Sequence, residues 1–110
     1  MIQDTITKIE ARIRLADSLK DENKKELLDL LATLKGEMTE VAKTHTEQAQ
    51  SIAGFTAISA HEVTRAAPDP RLVKLSIEGL STSVQGFEHS HPRLVQIVNA
   101  ISTTLSNLGI

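Results

Sequence analysis

A repeated 3-4 spacing of apolar residues between residues 21 and 65 is the feature that most constrains this chain. Such a spacing puts one apolar stripe along a helix, and a heptad stripe held over several repeats requires a partner helix. Unbroken, this helix would extend about 66 Å at ~1.5 Å per residue. We therefore predict one long central helix over 21–65, with the other helices packed along it. The stripe consists of Leu27, Leu31, Leu34, Met38, Val41, His45, Gln48, Ile52 and Phe55.

Two places within this long helix have weak helix propensity. One is the run Thr44, His45 and Thr46, and the other is Gly54. Because the apolar stripe keeps its phase through both, we predict a continuous helix. We interpret His45 as a polar residue that fixes the register of helix pairing, as buried Asn does in coiled coils, with a pH-sensitive element as the alternative.

Three further helices are predicted over 2–19, 70–89 and 92–108, each from a 4-3-4-3 apolar repeat. Acidic residues and prolines separate them: Asp21 and Asp69 are candidate N-caps, and Pro70 suits a first helical position. The last helix follows a cap at Ser90 or His91, and Gly109 ends it. The predicted fold is a single all-α domain over 1–110, a four-helix up-down bundle of coiled-coil-like hairpins built on the long helix and completed by oligomerisation.

Composition narrows the range of partners. The only aromatic residues are Phe55 and Phe87, which argues against stacking surfaces for single-stranded nucleic acid. The formal charge is −2 without a basic stripe, so the electrostatic footprint of a nucleic-acid-binding protein is missing. The N-terminus lacks the basic leader and apolar run of a signal peptide, and residues 94–110 are too polar to span a bilayer. We expect a cytoplasmic protein without nucleic-acid or membrane partners and without a cofactor.

The distribution of charge predicts a homo-oligomer, most simply a dimer. Residues 1–47 hold 18 of the 26 charged side chains and residues 48–110 hold 8. We expect the weakly charged half to bury surface against a second copy, since the cores of interfaces are depleted in charge. Small residues at helical spacing on two helices would allow the helices of the two copies to approach closely. The predicted interface residues are Ala49, Ile52, Ala53, Phe55, Ala60, Gly79, Ser83 and Gly86.

Histidines supply the weak candidates for chemistry. His89 and His91 beside Glu88 could bind a metal, although histidines at a helix corner commonly satisfy terminal carbonyls instead. His61, Glu62 and Arg65 offer an acid–base cluster, although His and Arg near a helix C-terminus are also favoured by its dipole.

No catalytic motif accompanies these histidines, so we predict that the protein is not an enzyme. The favoured function is a non-catalytic, self-associating helical protein that acts as a scaffold or protein-interaction module. The alternative is a small-molecule- or metal-binding helical bundle, with His45 or the pair His89 and His91 as ligands.

The C-terminal sequence resembles one known family. A Phe-Glu pair at 87–88, a His-Pro helix start at 91–92 and a Leu-Gly-Ile ending at 108–110 are similar to domain of unknown function 4404, a family of short bacterial helical proteins. The match is specific over residues 86–110 and looser over 19–35, and this chain is longer than the family pattern between Gly36 and Pro70. The resemblance implies a bacterial origin and a helical fold, and it implies no site residues.

Overall fold

The computed structural model describes residues 2–108 and consists of five helices. The predicted helix end at Gly109 lies outside the described residues, as do Met1 and Ile110. No strand occurs within 2–108, so the all-α prediction is confirmed, with five helices rather than four. The helices are α1 (Ile2–Leu15), α2 (Asp21–Thr44), α3 (Thr46–Thr64), α4 (Pro70–Ser83) and α5 (Pro92–Leu108).

The predicted continuous helix over 21–65 is wrong, because the chain breaks at His45. This residue has φ −133° and ψ 63°, which is not helical, and it separates α2 from α3. The break leaves few backbone groups unsatisfied: the His45 N–H donates to the Val41 carbonyl at 2.8 Å, and the Ala49 N–H donates to the His45 carbonyl at 2.9 Å. The longest dimension of the Cα trace is 37 Å, far below the roughly 66 Å of an unbroken helix.

Other helix boundaries differ by a few residues. The first helix ends at Leu15 rather than 19. The helix after Pro70 ends at Ser83 rather than 89, and Gly86 takes a positive φ of 98° in the turn that follows. Asp21 is not an N-cap, since α2 begins at Asp21 itself. Asp69 does cap α4, where its carboxylate accepts a hydrogen bond from the Arg71 backbone N–H at 2.9 Å.

The helices form a ring in the order α1, α2, α5, α4 and α3. Within the described residues α3 contacts each of the other four helices, whereas α1 contacts neither α4 nor α5. The outer side of α3 therefore faces solvent between α1 and α4. Neighbours around α3 approach closely because its buried stripe is rich in small side chains: Ala49, Ile52, Ala53, Thr56, Ser59, Ala60 and Val63.

A partly buried ion pair fixes the hairpin of α1 and α2. The Lys35 ammonium donates to the Glu10 carboxylate at 2.8 Å and to the Thr7 hydroxyl at 3.1 Å. One turn away, the Gln3 amide donates to the Thr39 hydroxyl at 2.6 Å. These contacts hold α1 antiparallel to α2; only the pair of Lys35 with Glu10 is partly buried, Glu10 being 7% exposed.

A pair of leucine truncations should distinguish the core from the surface. Leu34 is fully buried at the middle of α2, whereas Leu15 is 80% exposed. We expect Leu34→Ala to lower the free energy of unfolding by about 2–5 kcal/mol, since it leaves a cavity. Leu15→Ala should change it by less than about 0.5 kcal/mol. Urea unfolding followed by circular dichroism measures both, and equal effects would contradict this core.

Candidate functional site

The outer side of α3 is bordered by grooves lined by four of the five large apolar side chains that are exposed among the described residues: Leu15, Phe55, Ile58 and Leu75, the fifth being Leu72 on α4. Exposed fractions range from 36% for Phe55 to 80% for Leu15. Leu72 and Leu75 are three residues apart on α4, and Phe55 and Ile58 are three apart on α3. Grouping of apolar side chains on one face of a small protein is typical of an interaction surface, whereas scattered ones need no explanation.

Two grooves flank this outer side of α3. The α3–α4 groove has a volume of about 550 Å³ and is lined by Gln48, Ser51, Phe55, Leu75, Glu78, Gly79, Thr82 and Ser83. The α1–α3 groove has a volume of about 320 Å³ and is lined by Thr5, Lys8, Ile9, Arg12, Ala57, Ile58 and His61. They differ in charge, since the first holds one carboxylate and the second holds two cationic side chains and a histidine.

The α3–α4 groove owes its shape to Gly79. The ring of Phe55 lies directly over this glycine, so closely that a β-carbon at position 79 would overlap the ring. The ring is 36% exposed and Leu75 beside it is 64% exposed. A glycine in the interior of α4 lowers helix propensity by about 1 kcal/mol, and here it admits an aromatic ring between two helices.

Half of the predicted interface residues lie in the core of the chain. Ala49, Ile52, Ala53 and Ala60 are each at most 2% exposed and pack within the ring of helices. A single chain therefore already buries Ile52 and the apolar repeat of the last helix without a second copy. The cause is the break at His45, which folds α3 back so that its small-residue stripe meets this chain's own helices.

The other predicted interface residues are exposed to different degrees, and the structure brings three of them together. Phe55, Gly79 and Ser83 line the α3–α4 groove. The Ser83 hydroxyl donates to the Leu80 carbonyl at 2.6 Å, which holds it against its own helix. Gly86 lies apart, in the turn after α4, where its N–H donates to the Glu88 carboxylate at 2.7 Å.

Leu75 lines the α3–α4 groove and Leu72 lies three residues before it on α4, but neither was identified from the sequence. The apolar repeat of their helix, Val73, Ile77, Leu80 and Val84, marks the face that packs inward. Leu72 and Leu75 lie outside that repeat, at 40% and 64% exposure. The sequence signal that could have identified them is the spacing of these two leucines, three residues apart on the face of the helix away from its core repeat.

Two histidines meet around Phe87 at the corner where the α2–α3 break faces the α4–α5 turn. The ring centroids of His45 and Phe87 are 5.3 Å apart, those of Phe87 and His91 are 5.7 Å apart, and those of His45 and His91 are 6.3 Å apart. All three contacts are edge-on. His45 therefore does not set the register of a continuous helix. Its ring packs at the corner, where Phe87 is 6% exposed.

Nearby charges on α2 are paired at the surface. The pKa of Glu40 is lowered, chiefly by the hydrogen bond from Lys43 at 2.7 Å and slightly by the charge of His91. His89 is exposed. Within residues 2–108, no three side chains of His, Asp or Glu come together as a metal-binding group. A metal site at His89 and His91 stays a prediction.

The acid–base cluster near the end of α3 forms an ion pair. Arg65 donates to the Glu62 carboxylate at 2.8 Å, and this hydrogen bond raises the pKa of Arg65. The nearest approach of His61 to Glu62 is 4.0 Å, and the His61 side chain is 53% exposed. Glu62 thus serves mainly as the partner of Arg65.

A double-mutant cycle tests the contact of Phe55 with Gly79. Gly36 in α2 is the matched control, since a β-carbon there meets nothing within 4 Å. We expect Gly36→Ala to raise the free energy of unfolding by about 0.5–1 kcal/mol through helix propensity. Gly79→Ala should raise the free energy of unfolding by less, because the Phe55 ring must move. In a Phe55→Ala background, Gly79→Ala should give the full increase.

The quantity to measure is the coupling between the two sites in urea unfolding. We expect about 0.5 kcal/mol or more, as is typical of side chains in contact. Additive effects would show that the ring does not lie over Gly79 in solution.

No helix within the described part of the chain is long and apolar enough to cross a membrane. A family model with the description "Domain of unknown function (DUF4404)" matches residues 27–110, a segment that includes α3, α4, α5 and most of α2. No curated protein and no solved structure matches the chain.

Proposed function

The chain belongs to the DUF4404 family, and from that premise we propose that it is a non-catalytic protein-interaction module that self-associates as a dimer through the α3–α4 groove. The family description names no activity, so the proposal depends on the surface of this chain. Its main support is that Phe55 and Leu75 lie exposed in the groove beside Gly79, with the exposed Leu72 three residues before Leu75 on α4.

Covering this surface would stabilise an assembly through the hydrophobic effect. Burying a leucine side chain fully contributes about 1.5–3 kcal/mol relative to leaving it exposed. Leu75 and Leu72 are 64% and 40% exposed, so each has apolar area left to bury. A second copy of the same groove supplies a matching apolar surface, and twofold contacts of this kind are the commonest among homo-oligomers.

The charges of α4 suit an antiparallel pairing of this helix with its copy. If Leu75 lies on the twofold axis, position 71 of one chain faces position 79 of the other, and position 72 faces position 78. Arg71 of one chain would then lie beside Glu78 of its copy. Both side chains are exposed in the single chain, where the Arg71 guanidinium lies 3.5 Å from the Asp69 carboxylate, so Glu78 of the copy would be a second carboxylate beside Arg71. Opposite charges at the rim favour the antiparallel orientation more than they add affinity.

Light scattering at micromolar concentration tests the dimer directly. We expect twice the chain mass of 12.0 kDa for the wild type. Leu75→Glu should shift the mass to that of one chain, because two like charges would meet on the twofold axis. Leu15→Glu is the matched control: it places the same charge on an exposed leucine of α1 and should leave the mass unchanged.

The circular dichroism of both variants should match the wild type, since neither leucine is buried. A wild-type mass of one chain throughout the micromolar range would overturn the proposed dimer. A dimer that survives Leu75→Glu would show that another surface joins the copies.

A further inference from the structure

The α1–α3 groove continues beyond its central depression along the two helices. A second depression of about 330 Å³, lined by Arg12, Leu15, Ala16 and Thr64, adjoins it and shares Arg12. Together the two depressions extend along α1 from Thr5 to Ala16, the residue just after the helix, over roughly 16 Å. The outer side of α3 separates this groove from the α3–α4 groove. The two grooves are therefore different surfaces.

The groove combines a cationic wall with apolar side chains. Lys8 and Arg12 are one turn apart on the same face of α1, both are exposed, and no carboxylate of the described residues lies within 4.0 Å of either. His61 lines the opposite wall. On the same wall as His61 lies Ile58, which is 49% exposed. Leu15, which is 80% exposed, lies at one end of the groove.

Two carboxylates on α1 and α3, those of Glu10 and Glu62, are engaged elsewhere. Glu10 points to the other side of α1, where it accepts from Lys35 at 2.8 Å. Glu62 accepts from Arg65 at 2.8 Å. Like charges one turn apart on a helix repel each other slightly, although Arg12 in the last turn of α1 also meets the negative end of the helix dipole. An anionic partner would convert that repulsion into attraction.

We propose that the α1–α3 groove binds an acidic amphipathic helix of a partner protein. Two helices lying side by side form a trough into which a third helix packs, with its apolar stripe on Ile58 and Leu15. Glutamates or aspartates beside that stripe would pair with Lys8 and Arg12. The groove is long and open on one side, whereas small-molecule sites enclose most of their ligand.

The probe is a fluorescein-labelled synthetic helix of about 18 residues, long enough to cover the groove. It carries leucines at every third and fourth position and glutamates on both sides of them, and a second peptide has lysine in place of every glutamate. Fluorescence anisotropy measures both. We expect the glutamate peptide to bind at least about tenfold more tightly than the lysine peptide, with an affinity that falls as ionic strength rises.

Charge reversal on the protein gives the sharper readout. Lys8→Glu/Arg12→Glu should weaken binding of the glutamate peptide at least about tenfold and strengthen binding of the lysine peptide, because the attraction is inverted. Lys25→Glu/Lys74→Glu, with the same change in net charge at exposed positions of α2 and α4, is the matched control and should leave both affinities unchanged.

This inference does not depend on the proposed dimer, since Leu75→Glu should leave peptide binding unchanged whatever the mass of the wild type. Absence of binding, or equal binding of the two peptides, would overturn it. Binding to vesicles of anionic phospholipid that is lost in Lys8→Glu/Arg12→Glu, without binding of the glutamate peptide, would assign the groove to a lipid surface and overturn it as well.

Discussion

The fold depends on how closely four helices can approach α3. This helix contacts all four of the others, and its buried stripe contains alanines and hydroxyl residues rather than leucines. Small side chains let helix backbones come together, and the larger residues of α1, α2, α4 and α5 then fill the space around them. The Thr56 hydroxyl donates a hydrogen bond to the Ile52 carbonyl at 2.7 Å, so this buried polar group is satisfied within its own helix.

Apolar periodicity was sufficient to predict the class of fold and the inward faces of most helices. Leu27, Leu31, Leu34, Met38 and Val41 are all buried as their spacing predicts. It was insufficient at His45, because a stripe that stays in phase does not show whether the chain continues or reverses. The low helix propensity of residues 44–46 was visible in the sequence. Its effect is decided by tertiary packing, which favours α3 folded back onto α1, α2 and α4.

The surface could be predicted in part. Phe55 was selected from the apolar stripe, and Gly79 and Ser83 were selected as small, close-packing positions; the three share one groove. Ala49, Ala53 and Ala60 were selected by the same rule and lie in the core. A stripe of small residues indicates that a helix packs tightly against something, but it does not show whether the neighbour belongs to the same chain. That distinction requires the path of the chain after His45.

The pairing of α5 with α2 has a consequence for folding kinetics. Most neighbours in the ring are consecutive helices, which meet after closing short loops. Two pairs, α1 with α3 and α2 with α5, join parts of the chain that are distant in sequence. The second pair is the more distant: the Thr104 hydroxyl donates to the Glu26 carboxylate at 3.0 Å, across 78 residues. Closing so long a loop is entropically unfavourable, and proteins with local contacts fold faster than those that depend on distant ones. The helical hairpins should therefore form early, and docking of the last helix on α2 should be the late, slow event of folding.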